Sequence, residues 1–238
     1  MNEATNVENV VREIEMACAA LKGKIDSVEM ILVNDGSSDN TGEVIDRIAA
    51  RLPNARCVHH PRNLGFGAAY KSGVRKAALN YIYMVPGENS VPPEAMIVTL
   101  SALGKADMII AYPLNTVVRK KIRQLLSRSF QWLTKTISSQ DIRYFNGPNL
   151  YLREHVLAAL PTTDGHAYQL EMILKLLSLG RTYAQVGINV RDRPSGKSKA
   201  LRPKNVVRVV WTLIRVTCWA AFRRRSAKPA AAPSRQPS

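Results

Sequence analysis

"VEMILVNDGSSDNTG" (residues 28–42) is the stretch that decides the fold class. Its first seven residues, 28–34, form a continuous aliphatic and β-branched run, which is typical of a strand buried in a parallel sheet. The run ends at Asp35-Gly36, and the small polar residues that follow are those of a tight turn. Apolar residues then recur at helical spacing at Val44, Ile45, Ile48 and Leu52. The stretch therefore predicts a strand, a turn and a helix.

The same alternation continues to about residue 112. The predicted strands are 28–34, 55–60, 81–85 and 107–111. Helical patterns precede the first strand and separate the others, and one helix is entered through the glycine-rich stretch "RNLGFGAAYKSG" (62–73). This order predicts an α/β domain with a mostly parallel sheet flanked by helices.

Beyond residue 112 the pattern changes. A long basic amphipathic helix is predicted over 117–137, and an apolar helix from about Lys204 to Arg225. The final stretch is low in complexity and predicts disorder. We divide the chain into a domain of residues 1–202, with a first half of about 1–112 and a second of about 113–202, an amphipathic helix 203–225 and a tail 226–238.

Positive charge is concentrated in two segments. The chain has 34 Lys and Arg against 18 Asp and Glu, and residues 117–143 and 191–238 hold 20 of the basic residues with only two acids. This distribution predicts an anionic partner met at particular places: nucleic acid, a membrane surface or a phosphorylated substrate. Nucleic acid is disfavoured, because aromatic content is only 6% and no recognised nucleic-acid motif is present.

Cysteine use indicates a reducing, cytoplasmic compartment. Cys18, Cys57 and Cys218 are scattered and show no metal-binding spacing. Residues 1–10 show no apolar signal-peptide core, and no uncharged apolar run reaches the roughly 18 residues that predict a transmembrane helix.

Two acids follow predicted strands, where ligands bind in open α/β sheets. Asp35 follows the strand 28–34, and Glu88 follows the strand 81–85 at a Pro-Gly turn. One interpretation is turn chemistry and helix capping for Asp35, and a solvated turn residue for Glu88. The other is that Asp35 accepts hydrogen bonds from a ligand and Glu88 holds a hard divalent cation against phosphate oxygens.

Four motifs in series resemble an inverting family 2 glycosyltransferase of GT-A fold, close to the dolichol-phosphate mannose synthase type. They are "ILVNDGSSDNT" (31–41), "HPRNLGFGAAYKSG" (60–73), the acid after strand 81–85 and "RDRPSGKSK" (191–199). The resemblance covers about residues 1–222. It implies a nucleotide-diphospho-sugar donor, Mg²⁺ or Mn²⁺, a polyprenyl-phosphate acceptor and a role in cell-envelope glycan biosynthesis.

The resemblance also assigns roles to particular residues. Glu88 matches the metal ligand that supports the leaving group. The residues that match the donor site are Glu3, Asn34, Asp35, Gly65, Arg193 and Lys197. The sequence departs from the family pattern at three positions. The usual Asp-x-Asp metal motif begins with Pro86, Asn34 replaces an acid, and Pro113 stands where an arginine often follows the strand. These departures concern metal affinity and donor identity rather than the fold.

One polar face of the predicted helix 117–137 suits a phosphate group. Arg119, Arg123 and Ser127 recur every four residues on that face, and the spacing of Arg123 and Ser127 resembles the acceptor-phosphate site of the mannose synthase type. A solvated helix face is the alternative. A lipid phosphate is already ionised at neutral pH, so no protein base is required. Glu171 is the nearest candidate base, and it is equally consistent with a structural role.

The predicted C-terminal helix fits a membrane interface better than a membrane span. Its apolar part, 206–222, reaches about 26 Å at about 1.5 Å per residue, short of a bilayer core of about 30 Å. Arg208 and Arg215 interrupt it, and Trp211 and Trp219 suit the interface. Peripheral attachment to the inner face of the membrane is therefore expected, with packing on the domain as the alternative.

Two other functions remain to be weighed against a transferase acting on lipid phosphate. A degenerate transferase would bind nucleotide-sugar or a partner with little turnover. A processive polysaccharide synthase is disfavoured, because the Gln-x-x-Arg-Trp motif is missing.

The resemblance also implies a further strand before residue 1. In such folds a buried strand precedes a Tyr-Asn-Glu turn, and here Met1 is followed directly by Asn2-Glu3. The expectation is that the strand 28–34 lacks a neighbour, which leaves an unpaired apolar edge. A start codon assigned too far downstream is the favoured explanation, and tolerance of the loss by a degenerate binding protein is the other.

Overall fold

A computed structural model describes residues 1–115 and 140–191, together with Arg215. The predicted helix 117–137 lies outside the described residues, as do residues 192–214 and 216–238.

The described chain alternates strands and helices. Its elements are α1 (Val7–Ala20), β1 (Met30–Asp35), α2 (Thr41–Arg51), β2 (Ala55–His60), α3 (Phe66–Lys76), β3 (Tyr81–Tyr83), α4 (Pro93–Leu100), β4 (Met108–Pro113), β5 (Leu150–Leu152), α5 (Arg153–Ala158), α6 (Tyr168–Ser178) and β6 (Tyr183–Ile188). The α/β class predicted from the alternation is confirmed. The short helix α5 was not predicted.

The strands form two sheets, one with the order β1-β2 and one with the order β3-β5-β4-β6. The pairs β1–β2 and β4–β6 are parallel, whereas β5 is antiparallel to both of its neighbours, β3 and β4. The second sheet is therefore mixed. Helices flank the strands, as the sequence predicts.

Four strands have an edge with no hydrogen-bonded neighbour within the described residues. β1 and β2 pair only with each other, β3 pairs only with β5, and β6 pairs only with β4. Helices connect the two sheets instead: α3 packs on β1 and on α5 and α6, and α1 packs on α2 and α4. Backbone hydrogen bonds stabilise each sheet, while side-chain packing of α1 and α3 joins them.

The largest apolar core lies around α6. This helix is buried along nearly its whole length and packs against strand residues such as Met108, Ile110 and Tyr151. Two charged residues, Glu171 and Lys175, are buried in the same helix. Burial of charge requires close partners, and these are described below.

No helix in residues 1–115 or 140–191 is long and apolar enough to cross a membrane.

Candidate functional site

The carboxylate of Asp35, at the end of β1, anchors the glycine-rich loop. Its Oδ1 accepts a hydrogen bond from the Leu64 amide at 2.9 Å, and its Oδ2 accepts one from the Gly65 amide at 3.0 Å. His60 Nδ1 lies 2.8 Å from Oδ1, and the other ring nitrogen of His60 lies 2.9 Å from Ser72 Oγ. A carboxylate has about four acceptor positions, so three protein contacts leave Asp35 little capacity for a ligand.

Gly65 occupies a position that only glycine fits. Its φ is 108°, and a Cβ built there would lie 2.5 Å from the carbonyl oxygen of Asp164. Nearby, the Gly67 amide donates to the same oxygen at 2.7 Å. The loop that follows β2 is thus packed directly on the backbone before α6. Gly65 was predicted as a donor-site residue. In the structure it lets the loop after β2 pack closely against Asp35, which ends β1.

The side chain of Asn34 is also engaged within the protein. Its Oδ1 accepts a hydrogen bond from the Ser37 amide at 3.0 Å, and its Nδ2 lies 3.4 Å from His59 Nδ1. Asn34 is buried. It closes the turn after β1 and orients the His59 ring.

Glu88 lies on the turn that follows β3, and its side chain is half-buried. The next residue, Asn89, has a positive φ of 55°, which reverses the chain sharply. Arg191, just beyond β6, holds this turn in place: its amide donates to the Ser90 carbonyl at 2.9 Å, and its guanidinium donates to Asn89 Oδ1 at 3.1 Å. The same guanidinium pairs with Glu13 at 2.7 Å.

Glu3 approaches the Glu88 turn from the other side. A Cβ built on Gly87 would lie 3.9 Å from the Cβ of Glu3. The Glu3 amide donates to Thr41 Oγ1 at 3.0 Å, and the Glu3 carboxylate accepts from Asn6 Nδ2 at 2.7 Å. Residues 1–3 therefore connect the start of α2 with the turn after β3. The side chain of Glu3 thus lies close to the turn that carries Glu88.

The residues at this edge fit a hard divalent cation. Glu88 supplies a carboxylate, and Mg²⁺ is commonly held by one or two carboxylates while substrate phosphates and water complete its coordination. Pro86 contributes no side-chain ligand. Glu88 is thus the carboxylate of this turn that could bind such a cation.

Glu171 is a buried anchor for the loop that precedes α6. Its carboxylate accepts from the amides of Thr162 at 2.8 Å and Thr163 at 3.0 Å, and lies 2.8 Å from Lys175 Nζ and 3.2 Å from the Arg215 guanidinium. Burial by itself raises the pKa of this carboxyl, but the hydrogen bonds from Lys175, Thr162 and Thr163 outweigh it and lower the pKa to about 2. A group held ionised by so many donors is a poor proton acceptor.

Five predicted site residues fall outside the described part of the chain. They are Arg119, Arg123, Ser127, Arg193 and Lys197. Arg191, the last described residue before Arg193 and Lys197, contacts the Glu88 turn.

Sequence reasoning missed two residues that organise the site, His60 and Arg191. A signal for His60 was available, because the parallel register pairs His60 with Asp35 at the ends of β2 and β1. Arg191 offered no such signal, since its partners on the Glu88 turn lie about a hundred positions away in the chain.

Comparison with solved structures gives the fold its class. Glucosyl-3-phosphoglycerate synthase from Mycobacterium tuberculosis, crystallised with Mn²⁺, UDP-glucose and phosphoglyceric acid, superposes with a TM-score of 0.69 at 18% identity, over 92% of this chain and 77% of that one. A complex of the same enzyme with Mg²⁺ and UDP also gives a TM-score of 0.69. The chain has the GT-A fold of nucleotide-diphospho-sugar transferases.

Sequence comparison then identifies the family. Residues 1–153 match the family described as glycosyl transferase family 2. An undecaprenyl-phosphate mannosyltransferase of Micrococcus luteus is 23% identical over 80% of this chain and 83% of its own length. A polyprenol monophosphomannose synthase of Mycolicibacterium smegmatis is 25% identical over 83% of this chain and 77% of its own length. The chain belongs to glycosyl transferase family 2.

Proposed function

We propose that this protein transfers a sugar, with inversion at the anomeric carbon, from a nucleotide-diphospho-sugar to a polyprenyl phosphate at the cytoplasmic face of a membrane. The observation that carries the proposal is the convergence at the Glu88 turn. Glu3 reaches this turn from the start of the chain, and Arg191 reaches it from the end of β6. A carboxylate and Arg191, the first residue of the basic stretch 191–199, thus meet at one edge of the sheet. The relatives named above are transferases to polyprenyl phosphates, which supports the choice of acceptor.

The chain's own residues divide the work between donor and acceptor. Glu88 would hold Mg²⁺ or Mn²⁺, which when bound neutralises charge on the diphosphate leaving group. Arg193 and Lys197 bind the donor phosphates, and Arg119, Arg123 and Ser127 hold the acceptor phosphate by paired hydrogen bonds. The ionised lipid phosphate is itself the nucleophile. No residue is needed as a base.

Glu171 contributes by position rather than by proton transfer. It fixes residues 162–163, and the next residue, Asp164, packs on the glycine-rich loop that Asp35 holds. Glu171 therefore supports the shape of the donor site from the far side of that loop.

A degenerate, binding-only transferase is the second candidate, and specific observations favour it. Pro86 removes one acid of the usual metal pair, and the side chains of Asn34 and Asp35 are both occupied by internal contacts. Such a protein would bind nucleotide-sugar without transferring the sugar.

Transfer of radiolabelled sugar to polyprenyl phosphate, measured over a panel of nucleotide-sugars with Mg²⁺ or Mn²⁺, separates the two candidates. Glu88→Gln keeps the shape of the side chain and removes its charge, so it should abolish transfer and metal-dependent binding of the nucleoside diphosphate. Glu94→Gln, at an exposed position on α4, is the matched control. Tight binding by the parent without transfer would favour the degenerate protein, and metal-dependent binding that survives in Glu88→Gln would refute the metal assignment.

The acceptor assignment has its own test. Arg123→Ala should raise the KM for polyprenyl phosphate by about tenfold or more, because a charge-assisted hydrogen bond contributes about 1.5–3 kcal/mol. The affinity for the donor, measured by calorimetry, should not change. A loss of donor affinity as large as the loss of affinity for polyprenyl phosphate would place Arg123 at the donor site.

A further inference from the structure

A second cluster of ligand-type side chains lies on the face of the domain formed by α2 and β2. Asp46 projects from α2, and Cys57 and His59 stand two residues apart on β2, which places them on one face of the strand. Asp46 Oδ1 lies 3.1 Å from Cys57 Sγ and 3.0 Å from His59 Nε2. All three ligand atoms lie within 4.8 Å of one another. None of them belongs to the proposed transfer site.

These separations are close to those of a tetrahedral metal site. Zinc bonds of about 2.0–2.3 Å to oxygen, nitrogen and sulfur place neighbouring ligand atoms about 3.4–3.6 Å apart. The observed distances of 3.0 and 3.1 Å are shorter by a few tenths of an ångström, a change that side-chain rotation provides. A thiolate, an imidazole and a carboxylate together also form the ligand set that zinc prefers and that Mg²⁺ does not.

We propose that Asp46, Cys57 and His59 bind a divalent transition metal of the zinc type, with water as the fourth ligand. The site is open to solvent, since the Asp46 side chain is 56% exposed and the His59 side chain 39% exposed. A metal can therefore enter directly, and a fourth coordination position remains for water. The charges match, because one thiolate and one carboxylate neutralise a divalent cation.

Asn34 determines how readily His59 becomes a ligand. The Asn34 amide nitrogen faces His59 Nδ1 at 3.4 Å, while its oxygen accepts from Ser37. This arrangement favours the proton on Nε2, the atom that must bind the metal. Binding therefore moves that proton to Nδ1, where Asn34 offers a donor rather than an acceptor. An aspartate at position 34 would accept from Nδ1–H, as the outer partners of metal-bound histidines commonly do.

Titration of the full chain with Co²⁺ tests the site, because cobalt reports its ligands by colour. The parent should show the visible bands of tetrahedral cobalt and a near-ultraviolet thiolate charge-transfer band, and Zn²⁺ should abolish both. Cys57→Ser should lose the charge-transfer band, while Cys18→Ser and Cys218→Ser should keep it. Asp46→Asn and His59→Gln should weaken binding by more than the roughly 10–100-fold that loss of an outer partner costs. Asn34→Asp should tighten it.

The variants also show how the proposal fails. Cobalt binding no tighter in the parent than in Cys57→Ser, or a charge-transfer band that depends on Cys218, would overturn it. Should Cys57→Ser fold poorly, as judged by circular dichroism, the exposed substitution Asp46→Asn decides the question. Glu88→Gln should leave the cobalt spectrum unchanged, so this site and the proposed donor-metal site are tested independently.

Discussion

Asp35 and Gly65 act together at the scale of single residues. The carboxylate of Asp35 can receive the Gly65 amide only because the chain at Gly65 adopts a positive φ and lies against the backbone of Asp164. A side chain at position 65 would push the loop away from both partners. The role of Gly65 is therefore to let three segments of backbone meet.

Gly65→Ala should reduce both stability and nucleotide binding. The strained φ costs about 1–3 kcal/mol, and the 2.5 Å contact with the Asp164 carbonyl adds a clash that only a backbone shift can relieve. Gly23→Ala is the matched control, since Gly23 has a φ of 90° but nothing within 4 Å of the added Cβ. Denaturant unfolding should show a larger loss for Gly65→Ala than for Gly23→Ala, and equal losses would contradict the packing argument.

Glu171 makes the stability of the protein depend on acid pH. Its pKa falls from an ordinary 4.5 to about 2 on folding, so its contribution is complete above pH 4.5 and is lost as the pH falls toward 2. Glu171→Gln should lower the free energy of unfolding at pH 7 by about 3 kcal/mol, because Lys175 is left without its buried partner. The variant should also show a weaker acid dependence. Glu43→Gln, at an exposed position, is the control.

The same variant distinguishes an anchor from a base. If Glu171 is a structural anchor, the activity that remains in folded Glu171→Gln should keep the parent's pH profile. A catalytic base predicts a large loss of kcat with unchanged stability, and that result would restore Glu171 as a catalytic candidate.

At the scale of elements, local patterns predicted most strands and helices but not how the strands pair. β2 was predicted at its observed bounds, because apolar periodicity is a local property. The direction of β5 was not predictable, since its antiparallel pairing with β3 and β4 depends on residues far away in the chain. α5 has only six residues, too few for a helical period to emerge.

The same contrast separates the predicted from the unpredicted part of the candidate site. Asn34, Asp35 and Glu88 were candidates because each lies at the end of an apolar strand or just after it, and strand ends mark binding edges in α/β sheets. Arg191 could not be predicted in this way. Its guanidinium donates to Asn89 Oδ1 at 3.1 Å and pairs with Glu13 at 2.7 Å, and both partners lie far away in the chain. Only tertiary packing brings these groups together.

Arg215, the one described residue beyond position 191, contacts the loop before α6 and the buried Glu171. Its guanidinium lies against Glu171, Thr162 and Thr163. Arg215→Ala should change stability by no more than about 1 kcal/mol, because the arginine side chain is 54% exposed and its charge is screened. It should, however, speed proteolytic cleavage within residues 203–225. Arg208→Ala, in the same predicted helix, is the comparison, and equal cleavage of both variants would show that the contact does not hold the segment.

At the scale of the whole molecule, the distribution of positive charge agrees with the proposed lipid-phosphate acceptor. The two basic segments, 117–143 and 191–238, carry 20 of the 34 basic residues, and the rest of the chain is close to neutral. A lipid phosphate and an anionic membrane surface would both be met through these segments. The same basic segments would thus bind the acceptor phosphate and attach the protein to the membrane that contains the acceptor.

Removal of residues 204–238 should abolish most binding to liposomes that contain anionic phospholipid. The predicted interfacial helix supplies the apolar contact, and its arginines supply roughly 1 kcal/mol each near an anionic surface. Co-sedimentation of the parent and truncated chains measures the effect, with neutral phosphatidylcholine liposomes as the control. Equal sedimentation of both chains with anionic liposomes would refute the interfacial helix.

The division of the strands into two sheets has a consequence for how the domain opens. No backbone hydrogen bond joins β1 to β3 within the described residues, so we expect the two sheets to open as separate cooperative units. Native-state hydrogen exchange should show the amides of β1 and β2 opening at a lower free energy than those of β4 and β6, because β4 and β6 adjoin the largest core. The anchor of the glycine-rich loop, at the end of β1, would then belong to the unit that unfolds first. A ligand that protects the β1–β2 amides from exchange would be detected as binding there, even before any transfer reaction is assayed.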